Sequence, residues 1–191
     1  KEAYENGERD RPPEHSERME VLAGVLSGDV IVQCHSYRAD EILMLMRVFE
    51  DFGIQDLVFH HVNEGFKVAP ELAAFGDDGA GASVLSDWWA YKFEVYYSTA
   101  YNAAVLTENG VNASINTDIP GEQRDMYLQA AKTKRYGDLT DDEALALITI
   151  NPARQLGIDD RVGSIEEGKD ADLAIFDDHP LSVYTKPQRT Y

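Results

Sequence analysis

Four side chains able to bind a metal ion stand where short apolar runs end. His35 follows the run Val30 to Cys34, His60 and His61 close Leu57 to Phe59, and Asp118 follows Val111 to Thr117. Imidazoles and a carboxylate from several strand ends are the donors that a zinc ion takes. A metal so held acidifies a bound water, and a neighbouring carboxylate can take the proton. Each residue alone has a simpler reading. A lone histidine at a strand end is more often hydrogen-bonded structure, and Asp118 before Ile119-Pro120-Gly121 can be turn chemistry. Their coincidence at three strand ends favours a metal-dependent hydrolase on a βα scaffold.

The elements that must position them alternate along the chain. Apolar, β-branched runs at Val30 to Cys34, Leu57 to Phe59, Gly81 to Leu85 and Val111 to Thr117 predict four strands. Between and after them, helical spacing predicts helices over Ala39 to Phe52, Val68 to Phe75, Lys92 to Thr107, Arg124 to Arg135 and Thr140 to Ile148. Thr140 with Glu143 is a capping box. A helix over Glu17 to Leu26 precedes this series, after a polar segment, Lys1 to Ser16, read as loop. Strand and helix alternating at this spacing implies a parallel sheet, whose reactive groups gather at the carboxyl ends of the strands. Beyond Leu156, Gly157, Gly163 and Gly168 introduce turns and short β structure.

Alternation within the strands tests the site. His35 shares a face with Ile31 and Gln33, and Asp118 shares one with Asn112, Ser114 and Asn116, in both cases the more polar face. Cys34 falls on the opposite face and reads as a small apolar packing residue. Parity leaves His60 against His61 open, and by alternation only one of the two can point inward.

Composition narrows the function classes. The chain has 191 residues, 17 Lys+Arg against 35 Asp+Glu, and a net charge of −18. Such a balance argues against nucleic acid or an anionic membrane surface as partners. Much of it lies late: Asp138 to Asp178 holds 12 acidic and 3 basic residues. No apolar run approaches the roughly 18 residues of a membrane helix. No Gly-x-Gly-x-x-Gly or phosphate loop follows any strand, which disfavours a nucleotide-binding doubly wound sheet.

Three stretches resemble the amidohydrolase superfamily, most closely its imidazolonepropionase-like and prolidase-like branch: Cys34 to Ile42, His61 to Ala69 and Ser86 to Lys92. Asn151 to Gly157 and Gly163 to Leu173 are similar to the segment by which those enzymes re-enter their small β-sandwich domain. The resemblance runs from about Leu22 to the end. It implies that His35 is the metal ligand after barrel strand 5 and His61 the one after strand 6. Asp118 becomes the ligand and proton shuttle after strand 8. Tyr37 and Arg38 are then placed to bind a substrate carboxylate, and Trp88, Trp89 or Tyr91 to line the pocket.

The same resemblance implies the fold class: α/β, the carboxyl-terminal half of a (β/α)8 TIM barrel (strands 5 to 8) in residues 1–156, with part of a β-sandwich in 157–191. The family's His-x-His pair after strand 1 has no counterpart here, and a full barrel needs about 250 residues. The expectation is therefore the carboxyl-terminal portion of a longer amidohydrolase. It would cleave C–N bonds of a small amide, dipeptide or cyclic amide through hydroxide on a divalent metal, most simply zinc. The alternative is a catalytically incomplete half-barrel with a structural or binding role. Open sheet edges predict pairing with a second copy or with a missing amino-terminal half.

Overall fold

The four expected strands form one parallel sheet in chain order, β1-β2-β3-β4. They are β1 (Val32–Ser36), β2 (Leu57–His61), β3 (Gly81–Leu85) and β4 (Ala113–Asn116). The computed structural model describes residues 2–86, 88–90 and 92–191. Asp87 and Tyr91, part of one quoted stretch, lie outside the described residues.

Helices α1 (Glu2–Glu5) and α2 (Glu17–Ser27) precede the sheet, and α3 (Ala39–Asp51), α4 (Ala69–Ala73) and α5 (Asn102–Glu108) connect its strands. After β4 come α6 (Met126–Gly137), α7 (Asp141–Ala146) and α8 (Ile150–Gln155). An antiparallel pair, β5 (Ala174–Phe176) and β6 (Pro187–Thr190), follows.

Register sorts the two faces. Cys34, Phe59, Ala82 and Ala113 stand side by side across the sheet. They meet Ile42, Leu72, Leu106 and Leu147 in the main core, with Cys34 partly buried against it. Burying these side chains is the chief stabilising term, about 1.5–3 kcal/mol for each large one. The opposite face carries the row His35, His60, Ser83 and Ser114. That face is polar because its partners are polar. Gln155 of α8 accepts from Ser114 Oγ (2.7 Å) and donates to the carbonyls of Ala82 and Asn112.

Several local expectations are corrected. Strand β1 starts two residues later than its apolar run, because its first ladder partner is the Asp56 carbonyl, which accepts from Val32 N–H. The ladder then continues through Ser36 and His61, so all three histidines lie within strands. The single helix expected over Lys92 to Thr107 is broken into a 3-10 turn at Phe93–Val95 and α5. Thr99 Oγ1 accepts from Tyr101 N–H, the local bonding by which Ser and Thr compete with a helix. Helix α8 had no apolar signal of its own, and Pro152 is tolerated in its first turn. Helix α1 is a single exposed turn within the segment read as loop.

Helix ends follow their residues. Gly28 closes α2 in the left-handed conformation (φ 80°), its N–H bonding to Gly24 and Val25 carbonyls. Thr140 Oγ1 accepts from Glu143 N–H and the Glu143 carboxylate accepts from Thr140 N–H, as the capping box requires. Gly137 allows α6 to close on α5, since a Cβ there would lie 2.1 Å from Ala104 Cβ. Helix α2 buries no residue and exposes Met19, Val21, Leu22 and Leu26. Among the described residues no helix is long and apolar enough to cross a membrane.

Candidate functional site

The carboxyl ends of β1 and β2 bring three imidazoles together. His61 Nε2 lies 2.7 Å from His35 Nδ1, close enough to share a proton. The His35 and His60 rings are 5.7 Å apart by centroid, and those of His60 and His61 6.4 Å. His60 Nε2 is 2.6 Å from Gln33 Oε1, and Gln33 in turn donates to the Gln155 carbonyl (3.1 Å). The polar face thus links α8 to the histidines.

His60 sits on the polar face by register, so strict alternation would send His61 to the other. It does not, because the backbone turns left-handed at His61 (φ 73°) and again at Val62 (φ 40°). The expectation that only one of the pair can face the site is corrected on this ground. A β-branched residue at positive φ is strained and persists only where its surroundings hold it. Here Val62 N–H donates to the Ser36 carbonyl (2.9 Å). Asn102, 2% exposed, donates to the Val62 carbonyl (2.7 Å) and accepts from Phe66 N–H (2.9 Å).

His61 is 3% exposed, and burial pushes its pKa down to about 4. The charge of Asp118 opposes that shift, while His35, His60 and Lys92 add to it. The His60 pKa is lowered as well, by burial first and then by His35. Both imidazoles are therefore neutral at pH 7 and have lone pairs to offer. Among the described residues His61 Nδ1 is buried with no hydrogen-bond partner. Tyr37 stacks on His61 (4.7 Å, 11°), and Lys92 Nζ stands 3.6 Å from the centre of the Tyr37 ring.

Asp118 lies just past β4, exposed and left-handed (φ 53°). Among the described residues no three His, Cys, Asp or Glu side chains are grouped to hold a metal ion. The chemistry of the donors nevertheless fits part of a nitrogen-rich site: two imidazoles, His35 and His61, converge, and the second has an orphaned ring nitrogen. Arg38 begins α3 and is held by Asp40 through two 3.0 Å bonds. Trp89 is exposed, and Trp88 is half-buried. A cavity of about 820 Å³ opens at the amino ends of the strands, lined by Leu57, Gly81, Val111 and Gln155 among others, away from the histidines.

Comparison with known proteins matches residues 95–190 to the model of the amidohydrolase family. This chain belongs to the amidohydrolase family. It is 31% identical over 175 residues to the amidohydrolase tasK of Hapsidospora irregularis, covering 90% of this chain and 18% of that protein. It is 30% identical over 198 residues to imidazolonepropionase of Streptococcus pyogenes, covering 85% and 46%. The crystal structure of an amidohydrolase from Thermotoga maritima superposes with a TM-score of 0.86 at 33% identity, covering 99% of this chain and 48% of that one. An adenosine deaminase of Xanthomonas campestris with bound zinc shares the fold, with a TM-score of 0.60 at 23% identity over 83% of this chain and 39% of that one. The chain thus spans less than half the length of each of these relatives. The superfamily and branch expected from the sequence are those found.

Proposed function

We propose that this chain carries part of the active site of a metal-dependent C–N hydrolase acting on a small amide, dipeptide or cyclic amide. The observation that carries the reading is the convergence of His35 and His61 at neighbouring strand ends. In this reading His35, His61 and Asp118 hold a divalent metal, most simply zinc, which when bound supplies a Lewis acid and an acidified water. Asp118 is the catalytic carboxylate, taking a proton from the attacking water and returning it to the leaving nitrogen. Burial keeps the His61 imidazole neutral, and Tyr37, stacked on His61, fixes its ring. Tyr37 and Arg38 bind the substrate, Arg38 through a planar fork suited to a carboxylate.

The fold reading belongs with it. Residues 1–156 are proposed as the last four βα units of an eight-stranded barrel, and 157–191 as part of a β-sandwich. The strand order and the share of each relative covered support this. The remaining donors and the cover for α2 and the sheet edges would come from an amino-terminal half or from a second copy. The second reading, a structural or binding half-barrel, is favoured by one observation: Asp118 and the two histidines are not grouped as a three-ligand set.

Zinc titration separates the two. One zinc per chain, with affinity lowered at least ~100-fold in His35→Ala and His61→Ala, supports the metal reading; outer-shell changes alone cost 10–100-fold. Equal uptake by wild type and variants overturns it.

A further inference from the structure

Beside the histidines, a cavity of about 250 Å³ is lined by Arg38, Glu64, Lys67, Phe93 and Tyr97. Its walls come from three successive strand–helix connections, and each polar wall residue is fastened. Glu64 accepts from Ala39 N–H (3.0 Å) with one carboxylate oxygen and pairs with Lys67 Nζ (2.9 Å) through the other. Lys67 Nζ also sits 3.8 Å from the centre of the Tyr97 ring. The ammonium is thus held from two sides. Arg38 gives two of the five donors of its guanidinium to Asp40.

The lining itself carries two cations to one carboxylate, with Asp40 outside the lining as the partner of Arg38, in a chain of net −18. Two cations beside two aromatic rings suit an anion joined to a flat apolar group. The volume is below the ~300–1,000 Å³ of pockets for drug-sized ligands, so it suits a single ring. We propose that this cavity binds an aromatic carboxylate, its acid group at Lys67 and Arg38 and its ring against Phe93 and Tyr97. A ringless anion such as inorganic phosphate has nothing to set against Phe93 and Tyr97, and a cation would meet Lys67 and Arg38.

The proposal goes beyond the hydrolase reading and names one class of group that a substrate or product would carry at this end of the site. It shares only Arg38 with that reading. The test uses the full chain, without metal or turnover, and reads binding of benzoate by ligand-observed NMR. Benzamide serves as the neutral analogue and acetate as the ringless one. Benzoate is expected to bind at least tenfold more tightly than either. Lys67→Gln is expected to lose the preference for benzoate over benzamide, and Tyr97→Ala the preference over acetate. His35→Ala is expected to bind benzoate as wild type does, which separates this pocket from the proposed metal centre. Equal binding of benzoate and benzamide by the wild type overturns the proposal. So does an unchanged preference in a folded Lys67→Gln. If that variant does not fold, Arg38→Gln gives the same reading, and an unchanged preference there overturns the proposal.

Discussion

The ends of β2 and β4 both carry a proposed metal ligand on left-handed backbone, yet only one is fastened. His61 is buried, stacked on Tyr37 and held through Val62 by Ser36 and Asn102. Asp118 is exposed, and the hydrogen bond beside it, Thr117 Oγ1 to the Ile119 carbonyl, is local to its own turn. The difference lies in what packs behind each loop. Against the loop after β2 stands the start of α5, whose Asn102 bonds to Val62 and Phe66. Strand β4 is an edge among the described residues, and Asp118 faces no further strand. Strain is sustained where a second element pins it, and a loop at an open edge keeps no such hold.

Substitutions can break or sharpen this contrast. The largest effect is expected beneath β2. Phe59 is fully buried, and Phe59→Ala should cost about 3–5 kcal/mol in urea unfolding. Next comes the clamp. Asn102→Ala removes both bonds to the loop and leaves the Val62 carbonyl and Phe66 N–H without their partner, a loss of about 1–3 kcal/mol. The His61 ring resonances should move in the same variant, whereas a merely destabilised core would leave them in place. On the β4 side, α7 anchors the strand, since Ile115 N–H donates to the Leu147 carbonyl. Thr140→Ala, which deletes the α7 cap, should cost about 1 kcal/mol. The smallest effect is expected at Asp118 itself. Asp118→Gly should leave stability within about 0.5 kcal/mol of wild type, because the side chain is exposed and glycine accepts its φ of 53°. A loss above about 1 kcal/mol would show that this end is fastened as well.

Much of the fold was legible because its signals are local. Apolar alternation located the strands, with Gly81–Leu85 matching residue for residue. Thr140 and Glu143 marked the start of α7, and Gly28 the end of α2. The same locality explains the misses. The interruption of the expected helix around Ser98 and Thr99 serves the β2 loop, where Asn63 donates to Ser98 Oγ, a contact between residues 35 apart. Helix α8 exists because Gln155 satisfies carbonyls on β3 and in the segment leading into β4, and nothing in residues 150–155 announces that partner. The site divides in the same way. The face of His35 follows from Gln33 and Cys34 beside it, while Lys67 and Tyr97 meet only after two connections fold over one another.

From the sequence alone came the order of the elements, the polar and apolar faces of the sheet, and the family to which its motifs belong. These depend on spacing and on residues adjacent in the chain. Tertiary structure decided which way His61 points. Alternation left His60 and His61 open; the register that sets His60 beside His35 would put His61 on the core side, and a left-handed turn carries it to His35. That turn is held by an amide 40 residues further along, so no local pattern could record it. It also left Asp118 outside any group of three metal-binding side chains among the described residues, a relation between strand ends that no residue of β4 records by itself.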